Sequence, residues 1–389
     1  MMPIKAVVLD LSGTLIDDSG AIVVGVPDMI TRLQQLGLTI YIASNNAVPS
    51  HQVNRFSHVE MLDRFIVGGT KGSRKFIDTV CSRLGIARNQ LLYLGDTDND
   101  MREAVNCDVI FFLAAWSAPN YAYGIEVNTP ARFAEIVETF FLKEKLWYYY
   151  LDDTDSGGRS VIVRALLEAN TAWNTNIGSL LKYNLDLETV RSFKPSEYFS
   201  LHLLASLYLE GLHLRPQSQK PAIWCVYPGH AGGHIAALDE FARLVSRLFH
   251  QQYEASLIRR HTPARKRSTA RSQREVPSPS IDEQFQTILL DPALQTKIAD
   301  RRVLVFDDFT TEGQSFETAR NFLLNAQAAE IISIAVAKYG TRYRSYYPNA
   351  NLRWDSFTQV KLRETDFYAK NLVGTLDQDA LQPFSITRC

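Results

Sequence analysis

Residues 5–15 read KAVVLDLSGTL, and how they are read decides the fold. Ala6, Val7, Val8 and Leu9 are apolar without alternation, and Asp10, Ser12, Gly13 and Thr14 follow at once. A strand with one wet face would alternate polar and apolar positions, so an unbroken run predicts a strand buried on both faces of a parallel sheet. Moving outward, DMITRLQQLG (28–37) has helical apolar spacing and a glycine stop, and LTIYIASNN (38–46) is a second strand with a polar end. SRKFIDTVCSRLG (73–85) predicts a second helix, and QLLYLGDTDND (90–100) a third strand with an acidic end. Strand and helix alternate, which predicts a parallel sheet with helices on both faces. In such sheets the chemistry sits beyond the carboxyl ends of the strands. The helical pattern of 132–145 closes this unit, giving a first domain over 1–145.

The stretch YLDDTDSGGRS (150–160) is rich in Asp, Ser and Gly and predicts a linker over 146–160. Residues 161–214 carry a helical pattern broken at LDLETV and FKPSEY. AIWCVYPGHAGGH (222–234) then gives a strand and a glycine-rich turn, followed by an amphipathic helix, IAALDEFARLVSRLF. ASLIRR is a short strand, and residues 259–280, rich in Arg, Ser and Pro, predict a flexible basic loop. RVLVFDD (302–308), FETARNFLLNAQAA and EIISIAVAKYG complete a second alternating pattern, so a second α/β domain is expected over 161–389. The aromatic tail YGTRYRSYYPNANLRW either stacks a base or packs, and packing is the simpler expectation.

The bulk numbers set limits. At 389 residues the chain exceeds one ordinary core. Its formal net charge of −1, with 46% hydrophobic and 21% charged residues, gives no global pull toward nucleic acid or an anionic membrane. The four cysteines have no paired spacing, which argues against a disulfide framework or zinc knuckle and fits a reducing cytoplasm. The longest apolar run, VIFFLAAW (109–116), is too short for a membrane span, and the start lacks a secretory pattern, so a cytoplasmic protein is expected.

Two constellations carry chemistry. Asp10, Ser12 and Thr14, then Ser44, then Lys71, then Asp96 and Asp100 resemble, in order and spacing, the four motifs of the haloacid dehalogenase-like hydrolases over about the first 140 residues. That resemblance implies a Rossmann-like fold and a phosphatase. Asp10 would be the nucleophile, and Mg2+ would be held by Asp10, Asp96, Asp100 and the Ser12 carbonyl. Ser44 would bond a phosphate oxygen and Lys71 neutralise its charge. The family usually carries a second aspartate where this chain has Ser12, and a hydroxyl does not shuttle protons as a carboxylate does. Slower turnover, or a preference for good leaving groups, is therefore expected. The gaps between Asp10, Ser44 and Lys71 leave no room for a large cap, so a partner or another domain is expected to close the site.

VLVFDDFTTEGQS resembles the phosphoribosyl pyrophosphate signature of type I phosphoribosyltransferases. That resemblance implies a strand stopping at Asp307 and Asp308, whose carboxylates take the ribose hydroxyls. Thr310, Thr311, Gly313, Gln314 and Ser315 would then cradle the 5′-phosphate at a helix start. Glu312 departs from the small residue the family often has there. YPGHAGGH, with Gly229 and His230, stands where the family places its pyrophosphate loop. His230 and His234 have a metal-pair spacing, but Gly232 and Gly233 break the helix that pairing needs. The basic loop, with Arg259, Arg260, Arg265, Lys266, Arg267, Arg271 and Arg274, sits where the family has a mobile hood. A solvated basic loop and a nucleic-acid contact are its other readings. The helical segment before this region would be an insertion that sets the acceptor.

Together the resemblances imply a bifunctional, magnesium-dependent enzyme of nucleotide metabolism, stress response or antiviral defence. It would combine phosphoribosyl transfer to a base or nucleotide-like acceptor with phosphate-ester hydrolysis. The alternative is a non-catalytic regulator that binds nucleotide or phosphoribosyl pyrophosphate.

Overall fold

The computed structural model describes residues 3–47, 55–56, 59–117, 124–155, 157–169, 198–214, 220–234, 236–265 and 280–381. The chain divides into two compact α/β units. The first comprises residues 1–146, 195–214 and 248–250, and the second 147–194, 215–247 and 251–389.

In the first unit six strands form a parallel sheet: β1 (Ala6–Asp10), β2 (Thr39–Ser44), β3 (Glu60–Asp63), β4 (Leu91–Gly95), β5 (Ile110–Ala114) and β6 (Ile125–Val127). Their order is β3-β2-β1-β4-β5-β6. Every residue of β1, β4 and β5 is buried, as unbroken apolar runs demand of strands covered on both faces. One face packs Val8, Tyr41, Tyr93 and Phe111 against Phe76, Ile77 and Val80 of the helix Lys75–Leu84. The helix Val26–Gln35 begins with Pro27 in its first turn and buries Val26, Met29, Ile30 and Leu33, one stripe at helical spacing. It packs against the helix Pro130–Ile136. The chain order of strands reverses between β1 and β4, so the crevice of this sheet opens where those two strands end.

The expected helical segment divides. Residues 171–197 lie outside the described residues, while the helix Tyr198–Glu210 belongs to the first unit. Tyr208 explains that assignment. It donates from its hydroxyl to the Arg88 carbonyl at 2.8 Å and stacks on His213 and Phe249, with centroids 4.8 and 6.0 Å away.

Among the described residues, the main sheet of the second unit holds seven strands: β7 (Tyr149–Thr154), β8 (Ser160–Glu168), β9 (Ile223–Val226), β10 (Gln252–Tyr253), β13 (Arg302–Thr310), β14 (Glu330–Lys338) and β17 (Thr375–Leu376). Their order is β10-β9-β13-β14-β8-β7-β17, parallel from β10 to β8 and antiparallel from β8 outward. Two smaller pairs flank it, β11 (Ile258–Arg260) with β12 (Ile288–Leu290) and β15 (Arg342–Pro348) with β16 (Phe367–Val373). The tail packs: Tyr343, Tyr346 and Tyr347 are buried.

Four expectations change. Residues 149–154 are a strand rather than linker, because Tyr149 and Leu151 are buried while the alternating Tyr150 and Asp152 are exposed. Residues 160–168 are a strand rather than helix. Val161, Ile162 and Val163 are stiff β-branched side chains, and β8 lies inside the sheet between β14 and β7. β13 does not stop at its acids but runs on through Thr310, which pairs with Lys338. Arg259 and Arg260 sit in β11, paired with β12, instead of a loose loop. Lys266, Arg267, Arg271 and Arg274 lie outside the described residues.

Candidate active site

Asp10 is the last residue of β1 and is 2% exposed. The chain beyond it turns at Gly13, whose φ of 81° is in the left-handed region. A side chain there would also strike Asp96, since a Cβ would lie 2.0 Å from its Oδ2. Only glycine lets the loop after β1 approach the loop after β4 this closely. Thr14, fully buried, donates its hydroxyl to Asp96 Oδ1 at 3.3 Å.

Asp100 lies in the first turn of the helix Asp98–Asn106 and is fully buried. It accepts from the Tyr93 hydroxyl at 3.0 Å and from the Thr97 backbone N–H at 3.1 Å. Carboxylate oxygens of Asp10, Asp96 and Asp100 lie within 4.8 Å of one another. Lys71 reaches in from the loop before the helix Lys75–Leu84. Its ammonium contacts Asp10 directly and Asp100 Oδ1 at 2.8 Å. Its backbone N–H is held by the Asn45 side chain at 2.7 Å. Ser44 closes β2, one residue past Ala43, the register partner of Asp10, so it stands at the same end of the sheet. Ser12 is exposed two residues past the strand end.

The electrostatics follow from this crowding. Burial, then the charge of Asp100, pushes Asp10 well above the usual carboxylate range, and Lys71 only partly offsets it. Burial raises Asp96 too. Burial pulls the Lys71 ammonium down, but Asp10 and Asp100 outweigh it and the net direction is up. Three carboxylates facing one ammonium leave a deficit of positive charge. A small divalent cation with a preference for carboxylate oxygens fits that deficit.

Sequence reasoning missed Glu103. It is buried on the helix of Asp100, three residues on, and its carboxylate accepts from four backbone N–H groups: Gly72 and Arg74 at 2.8 Å, Phe76 at 2.9 Å and Ile77 at 3.1 Å. The helical spacing from Asp100 was the available signal, since positions three apart share a face.

In the second unit, β9 and β13 are parallel neighbours with Val226 opposite Phe306, so Asp307 lies one residue past the point where β9 ends and its turn begins. That turn is tied by Gly229 N–H to the Gly233 carbonyl at 2.7 Å. His230 is exposed and contributes its carbonyl to the Ala264 N–H at 2.9 Å. His234 pairs with Asp239 at 3.2 Å. Arg260 donates to the Gly229 carbonyl at 2.9 Å and to Gln284 at 3.0 Å, and Gln284 also accepts from Tyr227. Arg260 thus braces this turn. Arg265 pairs with Glu283 at 2.9 Å.

Asp307 and Asp308 are half-buried, and burial followed by the charge of Asp308 raises Asp307 well above the usual range. Gly313, at φ 83°, precedes the helix Gln314–Asn325, whose first two residues are Gln314 and Ser315. A Cβ on Gly313 would lie 2.0 Å from the Tyr343 ring. The Glu312 side chain is exposed. Lys338, fully buried, turns its ammonium onto the carbonyls of Thr311, Tyr339, Gly340 and Arg342. Burial pulls it down to about 8. The charged end of an otherwise apolar run was its only trace in the sequence.

No protein-family model matches the chain. No curated protein sequence matches it either. Among solved structures it is similar to a HAD-superfamily hydrolase from Geobacter sulfurreducens, at 14% identity over 34% of this chain and 99% of that one, with a TM-score of 0.31. A HAD family hydrolase from Streptomyces avermitilis gives 25% identity over 36% and 93%, with a TM-score of 0.28. The 3-deoxy-D-manno-octulosonate 8-phosphate phosphatase of Moraxella catarrhalis, in complex with magnesium and phosphate ions, gives 15% over 34% and 85%, with a TM-score of 0.27. No helix among the described residues is long and apolar enough to cross a membrane.

Proposed function

We propose that the first unit is a magnesium-dependent phosphate-ester hydrolase with Asp10 as its nucleophile. One observation carries this reading: three carboxylates within 4.8 Å at the crevice of a parallel sheet, with a buried lysine spanning Asp10 and Asp100. Asp10, Asp96, Asp100 and the Ser12 carbonyl would hold magnesium, which supplies charge neutralisation between two anions that would otherwise repel. Asp10 donates a carboxylate electron pair to phosphorus while the bond to the leaving oxygen breaks and takes its electrons away. Water then attacks the aspartyl phosphate, releasing phosphate and restoring Asp10. Lys71 orients Asp10 and offsets charge on the phosphoryl oxygens. Ser44, at the end of the neighbouring strand, would donate to one of those oxygens. Ser12 leaves the departing oxygen without a carboxylic acid donor, so good leaving groups are favoured. Phosphate release from p-nitrophenyl phosphate, with and without magnesium, tests the reading, and Asp10→Asn is the control.

A second reading concerns the second unit, where Asp307 and Asp308 follow Phe306, the residue opposite the end of β9, from which the Gly229–Gly233 turn leads on. That juxtaposition supports binding of phosphoribosyl pyrophosphate, with the acids on the ribose hydroxyls and the Thr310–Ser315 turn on the 5′-phosphate. Transfer to a base or nucleotide-like acceptor would follow. Pyrophosphate release in magnesium with a panel of bases is the test, and binding without turnover would make this unit a ligand-sensing regulator.

A further inference from the structure

We infer that Glu103 is a positioning residue that fixes Lys71 against Asp10 and Asp100. The inference deepens the hydrolase reading and rests on it for the role given to Lys71. Lys71 is followed immediately by Gly72, and the helix Asp98–Asn106 grips Gly72 from both sides of its peptide. Glu103 accepts from the Gly72 N–H at 2.8 Å, and Asn106 donates to the Gly72 carbonyl at 3.1 Å. The same Glu103 carboxylate takes the N–H groups of Arg74, Phe76 and Ile77. A helix leaves its first N–H groups without partners inside the helix, and an anion there also meets the positive end of the helix dipole. Here the anion comes from a different helix, the one that carries Asp100.

Backbone geometry agrees. Arg74, the residue before the helix Lys75–Leu84, has φ 71°, a left-handed conformation that a side chain beyond glycine adopts only when its surroundings impose it. Gly72 is left-handed too, at φ 88°. Two such residues within three positions make a sharp bend, and Glu103 takes the N–H of both. The bend turns Lys71 back into the acid cluster. One helix therefore sets both partners of the Lys71–Asp100 ion pair, Asp100 through its own side chain and Lys71 through Glu103.

Glu103→Gln keeps the size of the side chain but puts an amide donor against N–H groups that need acceptors. Glu103→Asp keeps the charge and shortens the reach. Competitive acetylation of the folded full chain, read lysine by lysine by mass spectrometry, reports how tightly Lys71 is held whether or not the protein turns over a phosphate ester. Lys71 should react about tenfold faster in Glu103→Gln, the scale of one lost charge-assisted hydrogen bond. Glu103→Asp should fall between this variant and wild type, and Lys297 should be unchanged in both. A purely structural role would lower the melting temperature and leave Lys71 as slow as in wild type well below it. Unchanged Lys71 reactivity in both folded variants overturns the inference, and so does failure of both to fold. Absence of phosphate release from wild type with the expected Lys71 pattern would instead fault the hydrolase reading and leave the positioning intact.

Discussion

Gly13→Ala should disable the proposed magnesium site without removing any of its carboxylates. The added Cβ would lie 2.0 Å from Asp96 Oδ2, where contacts below 3.0 Å do not persist. The Asp96 carboxylate, or the loop carrying Gly13, must therefore retreat by about 1 Å, a displacement that can cost on the order of a hundredfold in catalysis. Magnesium tolerates little of this, because it wants near-octahedral ligands at about 2.0–2.1 Å. The backbone adds its own penalty: φ of 81° costs a residue with a Cβ about 1–2 kcal/mol. Three measurements follow. Urea unfolding without metal should show a loss of about 1–2 kcal/mol. The extra stability that magnesium gives wild type, about 2.7 kcal/mol at a hundred times its Kd, should largely vanish. Turnover of p-nitrophenyl phosphate should fall about a hundredfold or more. Wild-type magnesium stabilisation and turnover in this variant would refute the claim that Gly13 is there to let Asp96 reach the metal.

Asp10→Asn should abolish magnesium-dependent phosphate release while the circular dichroism spectrum stays that of wild type; retained turnover would remove Asp10 as nucleophile. Ser12→Asp should speed hydrolysis of ordinary monoesters, by up to the ~10²–10⁴-fold of general acid–base help, and an unchanged rate with magnesium bound would show that proton donation is not limiting. Asp307→Asn with Asp308→Asn should weaken phosphoribosyl pyrophosphate binding about a hundredfold or more by calorimetric titration, from two lost charge-assisted bonds; equal affinities would dismiss that site. Asp10, Asp96 and Asp307 are all raised by burial, so the folded chain keeps protons that the unfolded chain has lost. Their effect is to lower metal-free stability as pH rises above 3.8, the ordinary aspartate value, and magnesium should offset the loss at Asp10 and Asp96. Urea midpoints equally sensitive to pH with and without magnesium would contradict this.

The sequence by itself determined the central strands of the first sheet and where they end. Ala6–Asp10, Thr39–Ser44 and Leu91–Gly95 are runs so apolar that only a sheet covered on both faces suits them. Polar residues directly after such runs must lie where the strands emerge, so Asp10, Ser44 and Asp96 are legible as strand-end groups from the order of residues alone. Local rules run out where neighbours decide. Residues 160–168 suit a helix or a strand on spacing alone, and their place between β14 and β7 settles the matter by pairing their backbone on both sides. Residues 149–154 read as linker because Asp152, Asp153 and Thr154 run straight into a stretch rich in Asp, Ser and Gly, although Tyr149 and Leu151 hold them to the sheet. β13 runs past its acids to Thr310 because β14 offers pairing that far. Glu103 and Lys338 lay deepest beyond reach. Neither belongs to the motif pattern itself, and each is stable in the core only because folding brings it partners from elsewhere. Glu103 has four N–H groups from a loop and the helix start that follows it, some thirty residues away in sequence, and Lys338 has a carbonyl from the Thr311 turn. A buried charge is fixed by the groups that satisfy it, and those groups are chosen by the tertiary fold.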